Sequence, residues 1–564
     1  MKRVYLASIA TLFTATVINA QDLEQVKKSI DAEKYSDARK TLKSMVNTSP
    51  DKGKNFFYLG QVYLALDKQD SAKVYFEKGK NAKDAGHLNL IGLAHINLIN
   101  GNKTEAQANI ASALASAKKK DVEEQIFISR AYLNSENPDF SKAVEAAKKA
   151  VTNDPKSAQA YLALGDAQLA NKNTNDAYVA YRTAFELDNT LYRAKTQLAV
   201  ITRNAQAFPE AMKALKDVVA LNPNYGPAYR EMAETNLAWA FGKNSNFQEK
   251  ATAALENYKK YMSLTDTSVD SRMKYADFLI LTKDWKGVEA EALAIQKMDK
   301  VNPRVLRYLG YASLENGNSE AAIKAINEFI AKSEPKKVKG RDYSYLGKAK
   351  LASAMDANGV ITNANRFNEA LADLVKASEL DPKLGGEFSE LGVKLYKQKA
   401  YFEAAKVLEL ALKNSASKSY TLDNYYYGNS VLYHTMDKTP AQKAAFTAEF
   451  ERANNAFAEV IKASATTQDA YFSKAQLNRV IDTDASKKVA VTDYEGYISV
   501  VNAKGEAELS KESVKKNLVA AYTFIGSSYS ATDKTKAIEA FEQASKLNPT
   551  DKYISESLSV LKKK

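Results

Sequence analysis

Small residues recur along this sequence at a nearly fixed interval, and that interval constrains the fold more than any other feature. Gly60, Ala94, Ala131, Gly165, Ala199, Ala233, Ala276, Gly310, Gly347, Gly392 and Gly428 are separated by 34, 37, 34, 34, 34, 43, 34, 37, 45 and 36 residues. Further residues keep step with these anchors at offsets of 12, 16 and 19. Gly60 is followed by Ala72, Phe76 and Gly79, Gly165 by Ala177, Tyr181 and Ala184, Gly310 by Ala322, Ile326 and Phe329, and Gly392 by Ala404, Leu408 and Ala411. In "FFYLGQVYLALDKQDSAKVYFEKGK" (56–80) apolar residues recur at helical spacing on either side of a polar "DKQD", so each unit reads as two helices and a turn. A glycine inside a helix costs up to about 1 kcal/mol relative to alanine, so its recurrence predicts close helix approach. Gly60 and Ala72 are expected where the paired helices cross, with Leu59 and Phe76 filling the surrounding volume. Pro155 and Pro223 stop second helices and set the turn into the next unit. One such pair cannot bury both of its faces, so neighbours must stack.

A period of 34 with two helices per unit, together with "YLALG" at 161–165, "YLGYASLENGNSEAAIKA" at 308–325 and the closing "LNP", "LDP" and "LNP" at 221, 380 and 547, resembles the tetratricopeptide repeat family. The resemblance runs over essentially the whole length after residue 20. It implies an all-α fold, a right-handed superhelical solenoid of about fourteen helix pairs with a C-terminal capping helix. Weaker units extend the array: Val26, Ala38, Leu42 and Met45 at the start, Ala475 with a second helix around 493–505, and Gly526 with Ala537, Phe541 and Ala544 near the end. The expected division is an N-terminal array over 21–335, a C-terminal array over 336–549 and a cap over 550–564, with "SEPKKVKGRD" (333–342) as a bend. Three insertions, around "FGKNSNF", "DANGVITNANRF" and "MDKTPAQKAAFTAEF", fall in the turn between the helices of one pair. The third is rich in Ala, Glu and Phe and reads better as longer helix.

The first twenty residues are of another kind. Lys2 and Arg3 precede an apolar run from Val4 to Val17 and a small-residue site ending at Ala20, the pattern of a secretory signal peptide cut before Gln21. The sequence has no Cys, which excludes disulfides, thiolate metal sites and a lipid-anchoring cysteine after that cut. An exported chain without disulfides points to a bacterial envelope, periplasmic or otherwise exported, and not to a lipoprotein. The cleavage pattern and the richness in Lys, Asn and Tyr resemble exported proteins of Bacteroidota. With 80 basic and 67 acidic residues interspersed, no concentrated basic stripe suits nucleic acid.

Little in the sequence suggests chemistry. His87 and His95 are eight residues apart on one helix, about 12 Å at a 1.5 Å rise, too far to share a metal. "DTDAS" (482–486) alternates carboxylates but lacks the glycine and later glutamate of a calcium loop, and reads as a helix-end turn. Glu123 and Glu124 read as a solvated face. Phosphate-cradling loops, nucleophile elbows and H-E-x-x-H motifs are not found. The expectation is a non-enzymatic protein without cofactor or metal.

A binding surface remains. The family resemblance implies that first helices line a concave face where partners lie. The candidate groove residues are Arg193, Arg203, Arg230, Arg304, Arg307, Arg341 and Lys348, grading into Tyr396, Tyr425 and Tyr433. Such a groove suits an acidic or extended segment of another envelope protein, with Arg making bidentate carboxylate contacts. The alternative is that these Arg residues pair with acids across the groove while the Tyr residues fill it. Arg304 and Arg307, three apart on one helix face, are expected to be replaceable with the fold intact. The basic-and-Asn clamp by which some family members hold a chaperone's terminal carboxylate is not recognisable in order, and that function is not carried over. Two functions fit: an envelope scaffold or adaptor, reaching the membrane only through partners, or a glycan- or peptidoglycan-associated surface protein, suggested by the Tyr-rich second half.

Overall fold

The computed structural model describes residues 22–563 except 119, 120, 244, 300, 301 and 357. Among them the regular structure is helical, and β pairing is confined to two isolated bridges, Lys52 with Asp84 and Met355 with Ile361. Successive helices pack as antiparallel pairs, and the described helices make fourteen pairs, from 22–31 with Tyr35–Thr48 to Glu512–Tyr529 with Lys534–Leu547. The helix Lys552–Lys563 packs on the last pair, burying Ile554 among Phe541 and Ala544. The array divides into two compact units with the boundary between positions 300 and 301. The 333–342 stretch, expected as a bend, lies inside the second unit, where a short 3-10 turn, Pro335–Lys337, joins helices Ser319–Lys332 and Gly340–Ser353.

The small-residue spacing has a direct steric cause. A Cβ placed on Gly60 would lie 2.2 Å from the Phe76 ring, one on Gly165 2.5 Å from the Tyr181 ring, one on Gly310 2.4 Å from Ile326 and one on Gly392 2.5 Å from Leu408. Each glycine is therefore the seat for the large side chain sixteen residues later, and those side chains are fully buried.

A second periodicity lies in the turn between the two helices. Seven residues after an anchor the backbone turns left-handed: Asp67, Gly101, Lys172, Gln206, Lys283, Gly317, Lys399 and Asp482 all have φ between 55° and 86°. One left-handed residue reverses the chain and satisfies the last helical carbonyls. At Lys172, for example, its N–H donates to Leu169 O, and the next N–H donates to Gln168 O at 2.9 Å. The insertions lie in this same turn, between the two helices of a pair. In "DANGVITNANRF" the described residues up to Asn363 are irregular and pinned by the Met355–Ile361 bridge, and its last four open helix Ala364–Leu380. "MDKTPAQKAAFTAEF" is mostly helical, through Pro440–Lys443, Ala444–Phe446 and the start of Thr447–Ala463. "DTDAS" is a helix-end turn, with Asp482 left-handed and Thr483 forming a capping box with Ser486 at the start of Asp484–Lys504.

The two helices of a pair are not equivalent. First helices such as Gly53–Ala65 and Gly86–Ile99 bury most of their residues, whereas their partners Gln69–Gly79 and Lys103–Ser116 bury only a narrow stripe of small and apolar ones. First helices also pack on the first helices of neighbouring pairs, in both units. They therefore form an inner row, with second helices outside.

Candidate partner-binding face

In the first unit the inner row is crossed by ion pairs. Arg193 Nη2 donates to Asp166 Oδ2 at 2.7 Å, and the Tyr181 hydroxyl donates to the other oxygen at 2.9 Å. Arg203 Nη1 donates to Glu231 at 2.7 Å, and Glu231 also accepts from Arg230 Nε at 3.1 Å. Arg230 reaches further, to Glu33 in the turn of the first helix pair, and Glu33 accepts from the Tyr261 hydroxyl at 2.7 Å. The first pair is thereby tied to the seventh: Asp266 N donates to Glu33 O at 3.2 Å, while Ser36 N donates to the Asp266 carboxylate. The unit closes on itself, and its own acids occupy Arg193, Arg203 and Arg230, the cations that the sequence leaves open to a partner or to such pairing. Asp31, at the end of the first helix, lies among Arg193, Arg130 and Asp166; burial pushes its carboxyl above the usual range, with Arg193 pulling the other way.

The second unit repeats the device. Arg307 makes a bidentate pair with Asp342, whose remaining acceptor capacity is filled by the Tyr311 hydroxyl and Lys339 N. Asp342 is 0% exposed. Arg307 is therefore the half-buried partner of a fully buried acid, and the expectation that it can be reversed with the fold intact is corrected: a glutamate there would face a buried carboxylate. Arg304 Nη2 donates to the Tyr308 hydroxyl at 2.7 Å. Lys348 and Arg341 both reach Glu387, Arg341 at 3.6 Å and with more than half its side chain exposed. Asp423, also fully buried, accepts from Ser389 and Ser419 at 2.5 and 2.7 Å. The sequence carries a signal for two of these acids. Asp342 and Asp423 stand five residues before anchors Gly347 and Gly428, a position held elsewhere by buried Ala160, Ala194 and Ala228. A carboxylate at a core position demands a partner.

The tyrosines come together. The Tyr396 ring lies 4.9 Å from Tyr426 and 6.2 Å from Tyr433, Tyr401 lies 5.3 Å from Tyr433, and Tyr425 lies 5.9 Å from Tyr426. This five-ring cluster joins the ends of helices Gly385–Lys397 and Tyr401–Ala411 to helix Tyr420–Thr435. It is partly open: Tyr433 is 37% exposed. Burial raises the Tyr396 and Tyr433 hydroxyls above their ordinary value, so the rings present neutral O–H groups on an apolar surface.

Glu123 and Glu124, expected on a solvated face, are not there. Glu123 accepts from Tyr58 at 2.6 Å and pairs with Lys54, and Glu124 is 3% exposed, 2.6 Å from His87 Nε2. The stacking of neighbouring pairs covers this helix start, which adjacency in sequence could not reveal.

The tetratricopeptide repeat family matches this chain at residues 128–188 and again at 519–551. Such repeats are protein–protein interaction scaffolds that present extended inner surfaces. No curated protein matches the sequence. Among solved structures, the chain is similar to the C-terminal part of a tetratricopeptide repeat protein from Cytophaga hutchinsonii, at 20% identity and TM-score 0.31, over 50% of this chain and 98% of that one. It is similar to a tetratricopeptide repeat protein from Parabacteroides merdae, at 16% identity and TM-score 0.30, over 46% and 93% of the two chains. Yeast Tom70 matches at 13% identity and TM-score 0.29, over 76% of this chain and 100% of its own. No helix among the described residues is long and apolar enough to cross a membrane. The leader expected over residues 1–20 lies outside the described residues.

Proposed function

We propose that this chain is a non-enzymatic scaffold of the bacterial cell envelope that holds a partner protein or peptide against the tyrosine cluster of its second unit. The observation that carries this reading is the partly open contact of Tyr396, Tyr401, Tyr425, Tyr426 and Tyr433. Tyrosine brings large rigid apolar area with a polar tip, at the cost of two side-chain torsions, and is enriched in protein-binding hot spots. The arginines argue less for a partner, because Arg193, Arg203, Arg230 and Arg307 are already held by the chain's own carboxylates. The envelope assignment rests on the leader-like first twenty residues and the lack of cysteine.

The test is capture from envelope extract of the native host with Tyr433→Lys and with Tyr396→Ser/Tyr433→Ser, against the wild type. Loss of a specific partner from both variants, at unchanged helical content, supports the reading. The same aromatic surface suits stacking on a sugar ring, so the wild type is also sedimented with purified peptidoglycan. Tyrosine-dependent sedimentation without a protein partner would replace the scaffold by a glycan-associated protein. Fractionation with N-terminal sequencing tests export: the mature chain should begin at Gln21 and lie outside the cytoplasm.

A further inference from the structure

We propose that His87, Asp121 and Glu124 form a binding site for a divalent transition-metal ion, Zn2+ in first place, that clasps the third helix pair to the fourth. His87 stands in the first turn of helix Gly86–Ile99, and Glu124 in the first turn of helix Glu123–Leu133, with Asp121 just ahead of it. The stacking of two successive first helices brings together residues 37 positions apart. One ligand atom from each of the three lies within 4.8 Å of the others.

The arrangement is more than a cluster of acids, because the buried member is incompletely satisfied. Glu124 is 3% exposed; one carboxylate oxygen takes the His87 Nε2 contact at 2.6 Å, and the other, Oε2, is buried with no hydrogen-bond partner. An unpaired buried carboxylate oxygen is costly, and the neighbouring cation that could relieve it, Lys54, is paired with Glu123 instead. Asp121 is half-buried and uses Oδ2 to accept from Lys118 N at 3.1 Å.

The chemistry selects the ion. One imidazole nitrogen and two carboxylates match a four-coordinate Zn2+ site with water in the fourth position, and the two negative charges neutralise the dication. The imidazole disfavours Ca2+ and Mg2+, which take oxygen ligands. Zinc ligands at about 2.0–2.1 Å stand about 3.3 Å apart. The His87–Glu124 contact must open slightly and Asp121 must close in, which side-chain rotation in a first turn and a preceding loop can supply. The imidazole then exchanges its contact with Glu124 for the metal, and the Oε2 atom gains a partner in the same shell. No covalent chemistry is implied: the ion crosslinks neighbouring pairs and leaves one position for water or a carboxylate from outside.

The test uses the full mature chain, stripped with chelator and titrated with Zn2+ in competition with a chromophoric chelator, and with Co2+ as a visible probe. The wild type and the control His434→Ala should each bind one ion, melt at higher temperature with Zn2+, and give the intense visible absorption of four-coordinate Co2+. Asp121→Asn, at a half-buried loop position that threatens the fold least, should weaken Zn2+ binding by more than about tenfold, the smallest loss seen even for indirect partners of a metal ligand. His87→Ala and Glu124→Gln should lose the Co2+ absorption while remaining helical. Full affinity in Asp121→Asn and His87→Ala, or no stoichiometric Zn2+ uptake by the wild type, overturns the proposal.

Discussion

Arg307 grips Asp342 through two parallel hydrogen bonds, Nε to Oδ1 at 2.7 Å and Nη2 to Oδ2 at 2.8 Å, across the contact between two successive first helices. The carboxylate is fully buried and the arginine side chain is 20% exposed, so the acid lies under the surface of the inner row with the guanidinium over it. Removing one partner of a buried pair strands the other charge. Arg307→Glu is expected to destabilise the second unit by about 3–5 kcal/mol, read as a fall in the urea midpoint. Arg341→Glu, at the more exposed pair with Glu387, should cost about 1 kcal/mol or less. Equal effects would contradict this ranking.

Gly165 tests the steric origin of the repeat. A Cβ there would stand 2.5 Å from the Tyr181 ring, which is fully buried. Gly165→Leu is expected to destabilise the first unit by about 3 kcal/mol, the upper end of overpacking costs. An unchanged thermal melt would show that the Tyr181 ring can move aside.

Lys172 makes the opposite prediction. It holds φ 64° in the turn between two helices, where Gly101 and Gly317 stand in equivalent turns. A left-handed side-chain residue costs about 1–3 kcal/mol, offset in part by the extra unfolded-chain freedom of glycine. Lys172→Gly should therefore stabilise the protein by up to about 1 kcal/mol, measured as a higher urea midpoint. A lower midpoint would mean that the lysine side chain contributes more than its backbone strain.

His434 gives the second unit a pH dependence. Burial against Phe402 and Phe446, with Lys438 and Lys406 adding repulsion, lowers its pKa from 6.5 to about 4. The fold therefore favours the neutral ring. Its contribution is complete above pH 6.5 and is lost as pH falls from there through about 4. After allowance for partial exposure the loss should be at most about 2 kcal/mol. Urea denaturation at pH 7.5 and pH 5 should show a smaller drop for His434→Gln than for the wild type; equal drops would remove His434 from the account.

The pair architecture was legible because packing wrote it into the sequence twice, as a small anchor and as the large residue sixteen positions on that fills the space above it. The left-handed turns were not, since most carry Asp, Gln or Lys, and only Gly101 and Gly317 advertise the conformation. The candidate groove was legible as a row of cations, with pairing to acids across the groove as one of its two readings, but which acids hold them was not. Asp166 follows its anchor Gly165 directly, and Glu33 meets Arg230 only because the first unit closes across 197 residues. The tyrosine cluster was half legible: Tyr396, Tyr425, Tyr426 and Tyr433 all stand on first helices, whereas Tyr401 opens a second helix and reaches Tyr396 and Tyr433 only through helix packing.

The most direct test of the central claim is quantitative capture of partner proteins from native envelope extract by the wild type, by Tyr396→Ser/Tyr433→Ser, and by the outer-surface control Tyr178→Ser/Val179→Ser. Tyr178 and Val179 are 41% and 51% exposed on a second helix of the first unit, so the control removes comparable surface away from the cluster. The account predicts a specific partner retained by the wild type and the control and lost from the tyrosine variant, with all three equally helical. Retention of every partner by the tyrosine variant would contradict it.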